Sequence, residues 1–377
     1  MAAGNFAERI AAYGAWRREL VDGVRRYGQW LESSELSDAA VRSRIERVVE
    51  RLRDDRISIV FVAEFSRGKS ELINAIFFSR YGQRILPSSA GRTTMCPTEL
   101  LHDGSRPSSI RLLPIESRLG DASLTELRAR SAEWIEHPIE PGDRDSLAEA
   151  FACVRQTKRV RVEDAAALGL FQSDDEDSPI QPDAQGMVEI PLWRHAIVNI
   201  PDPLLEMGLV VIDTPGLNAL GSEPELTLNL IPSADAVLFV LAADAGVTRS
   251  DIEVWRDHVS PAHASGRFVV LNKIDGLWDE LRDDMQIEVE IASQVASVSQ
   301  TLDLPASRVF PVSAQKGLVA KIQGDAPLLR RSRLPELERA LSQELVPQQQ
   351  TLVREHVRRE FDELAAVIQS VLGARRR

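Results

Sequence analysis

Gly68, Lys69 and Ser70 stand at the centre of the stretch VFVAEFSRGKSELINAIF, residues 60–77. A β-branched and aromatic run leads into a short polar turn, and an apolar helical pattern follows through Leu72, Ile73, Ala75 and Ile76. That is the layout of a loop that grips phosphate, G-x-x-x-x-G-K-[ST]. In such a loop the backbone amides of residues 65 to 70 and the following helix N-terminus cradle the β- and γ-phosphates while Lys69 adds a point charge, so Glu64, Phe65, Ser66, Arg67, Gly68, Lys69 and Ser70 are the nucleotide-binding candidates here. The Ser70 hydroxyl is suited to Mg²⁺. Ala63 replaces the glycine that opens the pattern. That exchange costs one methyl group and some freedom to reach φ > 0, a modest loss because the cradle amides belong mainly to later positions. Alone, a G-K-S tripeptide is weak evidence.

Four further signals follow in the required order. RTTMCPT places Thr93 and Thr94 in a polar loop, where Thr94 can send a hydroxyl to Mg²⁺. VVIDTPGL ends an apolar run with Asp213, a carboxylate that orients the metal through water, and Gly216, an amide for the γ-phosphate. VVLNKID ends another with Asn272, Lys273 and Asp275, and PVSAQKG ends a third with Ser313 and Ala314. Asp275 is acceptor-only, so it takes hydrogen bonds from the ring N–H and exocyclic amine of guanine, a pair that adenine does not offer. The set implies GTP/GDP and Mg²⁺ as ligands.

These residues need a scaffold that holds several strand ends together. The apolar runs ISIVFV, SIRLLP, GLVVID, AVLFVLA, RFVVLN and RVFPVS each precede polar loop residues, and helical patterns alternate with them. That alternation predicts an α/β fold, a P-loop GTPase domain with a mostly parallel central sheet over about residues 55–345. Within it, an insert of about 115–190 carries two helical patterns, LTELRARSAEWIEH and RDSLAEAFACVRQ, then the acidic run 174–177, which reads as a solvated loop. At the chain start Phe6, Ile10, Tyr13, Trp16, Leu20, Val24, Tyr27 and Leu31 recur in steps of three and four, and Val41, Ile45, Val48 and Leu52 follow suit. Beyond Pro347, Val353, Val357, Phe361, Leu364, Ile368 and Val371 repeat the spacing. Three amphipathic stripes are each other's most economical cover, so residues 1–54 and 346–377 are expected to form a helical bundle flanking the domain.

Composition bounds the function. The chain has 377 residues, 44% of them hydrophobic, and a formal charge of −12, which disfavours nucleic acid as a partner. Cys96 and Cys153 are far apart and belong to no metal-spaced cluster, and no apolar run reaches the length of a membrane span. The expected setting is cytoplasmic. The six histidines show no ligand spacing. Arg67 has two readings: an arginine finger for transition-state charge, or a loop residue paired with Glu64. The second is favoured.

The chain resembles the dynamin-like branch of large GTPases, particularly the bacterial members. The likeness is carried by EFSRGKS with LINAIF, by LPSSAGRTTMCPTEL, by LLEMGLVVIDTPGLN and by LNKID. More than a hundred residues separate Thr94 from Asp213, where dynamin-like domains carry insertions. The resemblance implies phosphate and Mg²⁺ binding by Lys69, Ser70, Thr94 and Asp213, and base binding by Asn272, Lys273 and Asp275. Leu217 stands where Ras-like enzymes place a water-orienting glutamine, and Phe65 where animal dynamins have a P-loop glutamine. Water is then expected to be positioned by backbone groups near Thr94 and Gly216, helped by K⁺ or Na⁺ near Ser66 or by a second GTPase domain across a nucleotide-dependent dimer.

The expected function is GTP hydrolysis stimulated by self-association through GTPase domains, coupled to bundle movement and acting in membrane remodelling, with peripheral contact at the inner face of the membrane. The alternative is a slow GTP switch or scaffold that recruits a second dynamin-like chain or another protein through its terminal helices. A ribosome-linked GTPase ranks third, because the chain is acidic. The chain ends one helix past the GTPase domain, which implies a fragment or a minimal member that works with partners.

Overall fold

In the computed structural model, residues 6–86, 96–140, 144–171, 182–216, 230–260, 266–279 and 281–375 are described. Thr93, Thr94, the acidic run 174–177 and Leu217 lie outside them. The strands are β1 (Ile57–Ala63), β2 (Thr98–Leu101), β3 (Ser109–Pro114), β4 (Ile135–Pro138), β5 (Thr157–Arg161), β6 (Met187–Pro191), β7 (Trp193–Asn199), β8 (Leu209–Asp213), β9 (Ala236–Ala242), β10 (Arg267–Asn272) and β11 (Val309–Pro311). Nine of them form one sheet in the order β11-β10-β9-β1-β8-β2-β7-β3-β4, and β5 and β6 make a separate antiparallel pair.

All six apolar runs singled out in the sequence are strands. β1, β9, β10 and β11 pair in parallel, and the side chains of β1, β9 and β10 are almost wholly buried on both faces, which is why these three read as continuous apolar runs. The other half of the sheet is mixed. β2 runs parallel to β7 and antiparallel to β8, and β3 is antiparallel to both β7 and β4. Two of the strands that the sequence hides, β2 and β4, have only four residues each, and β4 is exposed along its length, so neither shows an apolar pattern.

The first helical pattern of the insert is cut short. Only Leu124–Ala129 is α-helical, opened by a reciprocal Ser123/Glu126 cap. Arg130 leaves helical geometry, the Trp134 indole buries itself and donates to the Leu127 carbonyl at 2.9 Å, and Ile135–Pro138 then pairs with β3. Local propensity favours helix there, and the sheet edge overrides it. The second pattern does form a helix, Arg144–Val154.

The chain divides into two compact units, one of 1–57, 207–209 and 339–377, the other of 58–206 and 210–338. In the first, the helices Phe6–Ser33 and Ala39–Asp54 share an apolar cluster with the long helix Leu334–Arg375, through Val24, Leu31, Val48, Leu52, Val353 and Leu364. This long helix starts well before Pro347, which lies inside it. Proline suggested a boundary, but the helix runs through it, and Leu334, Leu337, Leu341 and Leu345 are buried ahead of it. Asp55 ties the unit together: its carboxylate accepts from Tyr13 Oη and from Gln349 Nε2, and its carbonyl from Arg17 Nη1.

In the second unit the core runs along the central strands, with Val60, Val62, Val237, Phe239, Val269 and Leu271 packed together. Ala63, Asp213, Asn272 and Pro311 end β1, β8, β10 and β11, and the motif residues lie at these strand ends and in the loops that follow.

Leu364 is 1% exposed in the helical unit. Leu364→Ala is expected to destabilise that unit by about 2–4 kcal/mol. Urea unfolding followed by circular dichroism checks this, and an unchanged midpoint would show that the cluster does not hold the helices.

Candidate nucleotide site

Positive φ falls at Ser66 (60°) and Gly68 (83°), not at Ala63, which sits in β1 in register with Val240. The methyl of Ala63 therefore costs no left-handed turn. Gly68 does need to be glycine. A Cβ there would lie 2.4 Å from Asn272 Nδ2, on top of the φ penalty. The helix Lys69–Ile73 starts at once from this turn.

Asn272 explains the close approach. Its Nδ2 donates to the carbonyls of Arg67 (2.9 Å) and Gly68 (3.4 Å), and its Oδ1 accepts from the Ala314 amide at 3.0 Å. One buried amide thus joins the phosphate loop, the end of β10 and the loop after β11. Ser313, fully buried, donates to Asp275 Oδ1 at 2.6 Å and orients that carboxylate. Lys273 has φ 64° and its ammonium pairs with Asp244 at 3.0 Å.

On the phosphate side Lys69 Nζ lies 2.9 Å from Asp213 Oδ1, both side chains under 10% exposed. Burial pulls the Lys69 pKa down, and Asp213 opposes it. Thr214 Oγ1 donates to the Phe61 carbonyl at 2.6 Å and anchors the segment to β1. Gly216 meets the Phe65 ring so closely that a Cβ would stand 2.7 Å from it. Thr98 at the start of β2 is in register with Asp213. The hard oxygens of Ser70, next to Lys69, and of Asp213, paired with it, are a donor set suited to Mg²⁺. No other cluster of metal-ligating residues occurs among the described residues.

Arg67 is 5% exposed, with Nη2 at 2.5 Å from Glu64 and 3.2 Å from the fully buried Asp251. Burial raises the Asp251 pKa against hydrogen bonds from Thr248 and the charge of Arg67. Glu64 also accepts from Thr248 Oγ1 at 3.0 Å and from Ser250 Oγ. Asp251, the second partner of Arg67, lies in the first turn of the helix Arg249–Val254, which sequence reasoning did not connect to the motif.

A cavity of about 340 Å³ brings Gly68, Asn272, Lys273 and Asp275 together with Glu71 and Arg84. The last two were missed. Glu71 is visible in hindsight as a charged residue directly after G-K-S, whereas Arg84 obeys no local pattern.

The model of the dynamin family matches residues 59–274, more than half of the chain. The chain belongs to the dynamin family. It is 19% identical over 294 residues to a bacterial dynamin-like protein of Nostoc punctiforme, covering 76% of this chain and 35% of that one. It is 32% identical over 166 residues to the isoniazid-induced protein IniA of Mycobacterium tuberculosis, covering 42% of this chain and 23% of that protein. Among solved structures, a bacterial dynamin from an oligomerised pair described as sensing and tethering membranes matches with a TM-score of 0.58 at 16% identity, over 96% of this chain and 47% of that chain. The fold is that of a dynamin-like GTPase. The chain spans about a third of the Nostoc protein and about half of the solved dynamin.

Two outcomes test the geometry. Gly68→Ala should weaken GDP binding by about ten- to a hundredfold, given roughly 1–3 kcal/mol of backbone strain; an affinity within twofold in a GDP titration would contradict the left-handed turn. Arg67→Ala should lower the melting temperature by leaving Asp251 buried without its cation. Adding Asp251→Asn should then cost less than the separate losses imply, with a coupling of about 0.5–3 kcal/mol; strict additivity in thermal melts would rule the pair out.

Proposed function

We propose that this dynamin-family chain binds GTP and hydrolyses it to GDP and phosphate. The observation that carries the reading is the cavity that joins Gly68 of the phosphate loop to Asn272, Lys273 and Asp275 in one wall. Asp275, oriented by Ser313, accepts from the guanine N1–H and exocyclic amine. Lys69 and the amides of residues 65–70 hold the β- and γ-phosphates. Ser70, Thr94 and Asp213 would hold Mg²⁺, the last through water; when bound, it neutralises charge between the two phosphates. In the reaction a water oxygen bonds to the γ-phosphorus, the bond to the β–γ bridging oxygen breaks, and GDP leaves with that electron pair.

Water activation is the weak point of the site. Phe65 packs on Gly216 and has no group that can orient water. Backbone groups near Thr94 and Gly216 take that role, with K⁺ or Na⁺ at Ser66, whose left-handed turn sits in an exposed part of the loop. A second GTPase domain supplies the rest, so turnover rises on self-association. The same Phe65 contact favours the second reading, a slow switch whose terminal helices recruit another chain. Coupling of hydrolysis to movement of the helical unit, peripheral membrane contact and a cytoplasmic setting complete the first reading. No helix among the described residues is long and apolar enough to cross a membrane.

GTP turnover across a protein dilution series, in potassium and in sodium, with Lys69→Ala as the blank, tests this. Specific activity that rises with concentration and vanishes in the blank is expected. GTP binding with turnover at the blank level throughout would leave the switch. In a second assay Asp275→Asn should lose affinity for GDP by about ten- to a hundredfold and gain it for xanthosine diphosphate, whose C2 carbonyl accepts from the new amide. Equal loss for both would refute the role of Asp275.

A further inference from the structure

Glu71 is a buried carboxylate, 6% exposed, one residue past Ser70 on the helix that opens the phosphate site. A negative charge there would oppose nucleotide phosphates unless it were neutralised. Arg84 neutralises it with a two-pronged fork: Nε donates to Oε2 and Nη2 to Oε1, both at 2.7 Å. The fork uses one edge of the guanidinium and leaves its flat face available.

The arginine is also fixed from the backbone side. Asn74, fully buried and three residues after Glu71, accepts from the amides of Ile85 and Leu86 at 2.9 Å each and donates to the Leu86 carbonyl at 2.8 Å. Neighbouring side chains of one helical stretch therefore hold Arg84 at its carboxylate partner and at the residues that follow it. A 46%-exposed arginine would ordinarily sample many rotamers, and the two hydrogen bonds to a buried carboxylate restrict this one. Its place is the wall of the cavity that also contains Asp275 and Gly276.

We propose that Arg84, held by Glu71 and Asn74, is a nucleoside-positioning residue whose guanidinium plane covers the purine face of the nucleotide read by Asp275. The inference rests on the guanine-nucleotide reading given above. Two features favour the base over the phosphates. The Glu71 carboxylate offsets the charge that a phosphate clamp would need. A planar, weakly hydrated cation held by its edge is suited to stacking on an aromatic ring.

The test is competition of guanosine, GMP and GDP against a fluorescent GDP analogue, for the parent chain, Arg84→Ala, Arg84→Lys, Glu71→Gln and Asp275→Ala. Arg84→Ala should weaken all three ligands by the same factor, about three- to thirtyfold. Arg84→Lys, with charge but no plane, should recover less than half of that loss on a logarithmic scale. Glu71→Gln, which loosens the fork, should give a smaller uniform loss. A loss that grows from guanosine to GDP would mean that Arg84 contacts phosphate and would overturn the proposal. So would unchanged affinities, or full recovery in Arg84→Lys. Failure of the parent chain to bind any of the three, with Asp275→Ala indistinguishable from it, would instead sink the nucleotide reading itself.

Discussion

The side-chain amide of Asn272 is the contact on which the rest of the site depends. It is 2% exposed, and it joins segments more than two hundred residues apart in sequence to one another, with both of its ends bonded to backbone. Buried amides are costly when left without partners, so each of these bonds holds the others in place. The demand propagates. Because Asn272 must reach the Arg67 and Gly68 carbonyls, position 68 has no room for a side chain, and the loop must turn left-handed there. Because its oxygen accepts from Ala314, the loop after β11 is brought beside Asp275, and Ser313 can orient that carboxylate.

Around this bracket the charged residues of the loop and its helix are neutralised in pairs. Lys69 faces Asp213, Arg67 faces Glu64 and Asp251, and Glu71 faces Arg84. Buried ions survive only with such partners. The partner of Lys69 lies at the end of β8, that of Arg67 on the helix Arg249–Val254 and that of Glu71 in the segment after its own helix, so the three groups tie the loop to separate parts of the fold. The apolar contact of Phe65 with Gly216 adds a further tie, between the loop and the segment after β8.

The helical unit obeys a different logic. Its stripes supply nonspecific apolar cover, and specificity comes from a few polar ties. Asp55 gathers Tyr13, Arg17 and Gln349, and Arg44 reaches Glu360 and Glu363. Gly208, at φ 99°, passes so close to Arg17 and to the Asp55 carbonyl that a Cβ would collide with both. This explains why residues 207–209 belong with helices far from them in sequence.

What the sequence determined by itself was local. The G-K-S turn, D-T-P-G, N-K-x-D and the apolar strands before them are contiguous, so residue type and order spell out the elements and single out the candidate site residues. The three stripes were legible because helical periodicity is a property of a single segment. Strands β2, β4 and the end of the first insert helix were not, since a four-residue strand, whether inside the sheet like β2 or at its edge like β4, is specified by its neighbours more than by its own residues. Tertiary structure alone decided the partnerships: Asn272 with the phosphate loop, Arg67 with Asp251, and Glu71 with Arg84. Each joins residues 13 to more than 200 positions apart. The physical reason is that a hydrogen bond or ion pair depends on where two loops come to rest, and strand order in the sheet sets that, which no short window of sequence encodes.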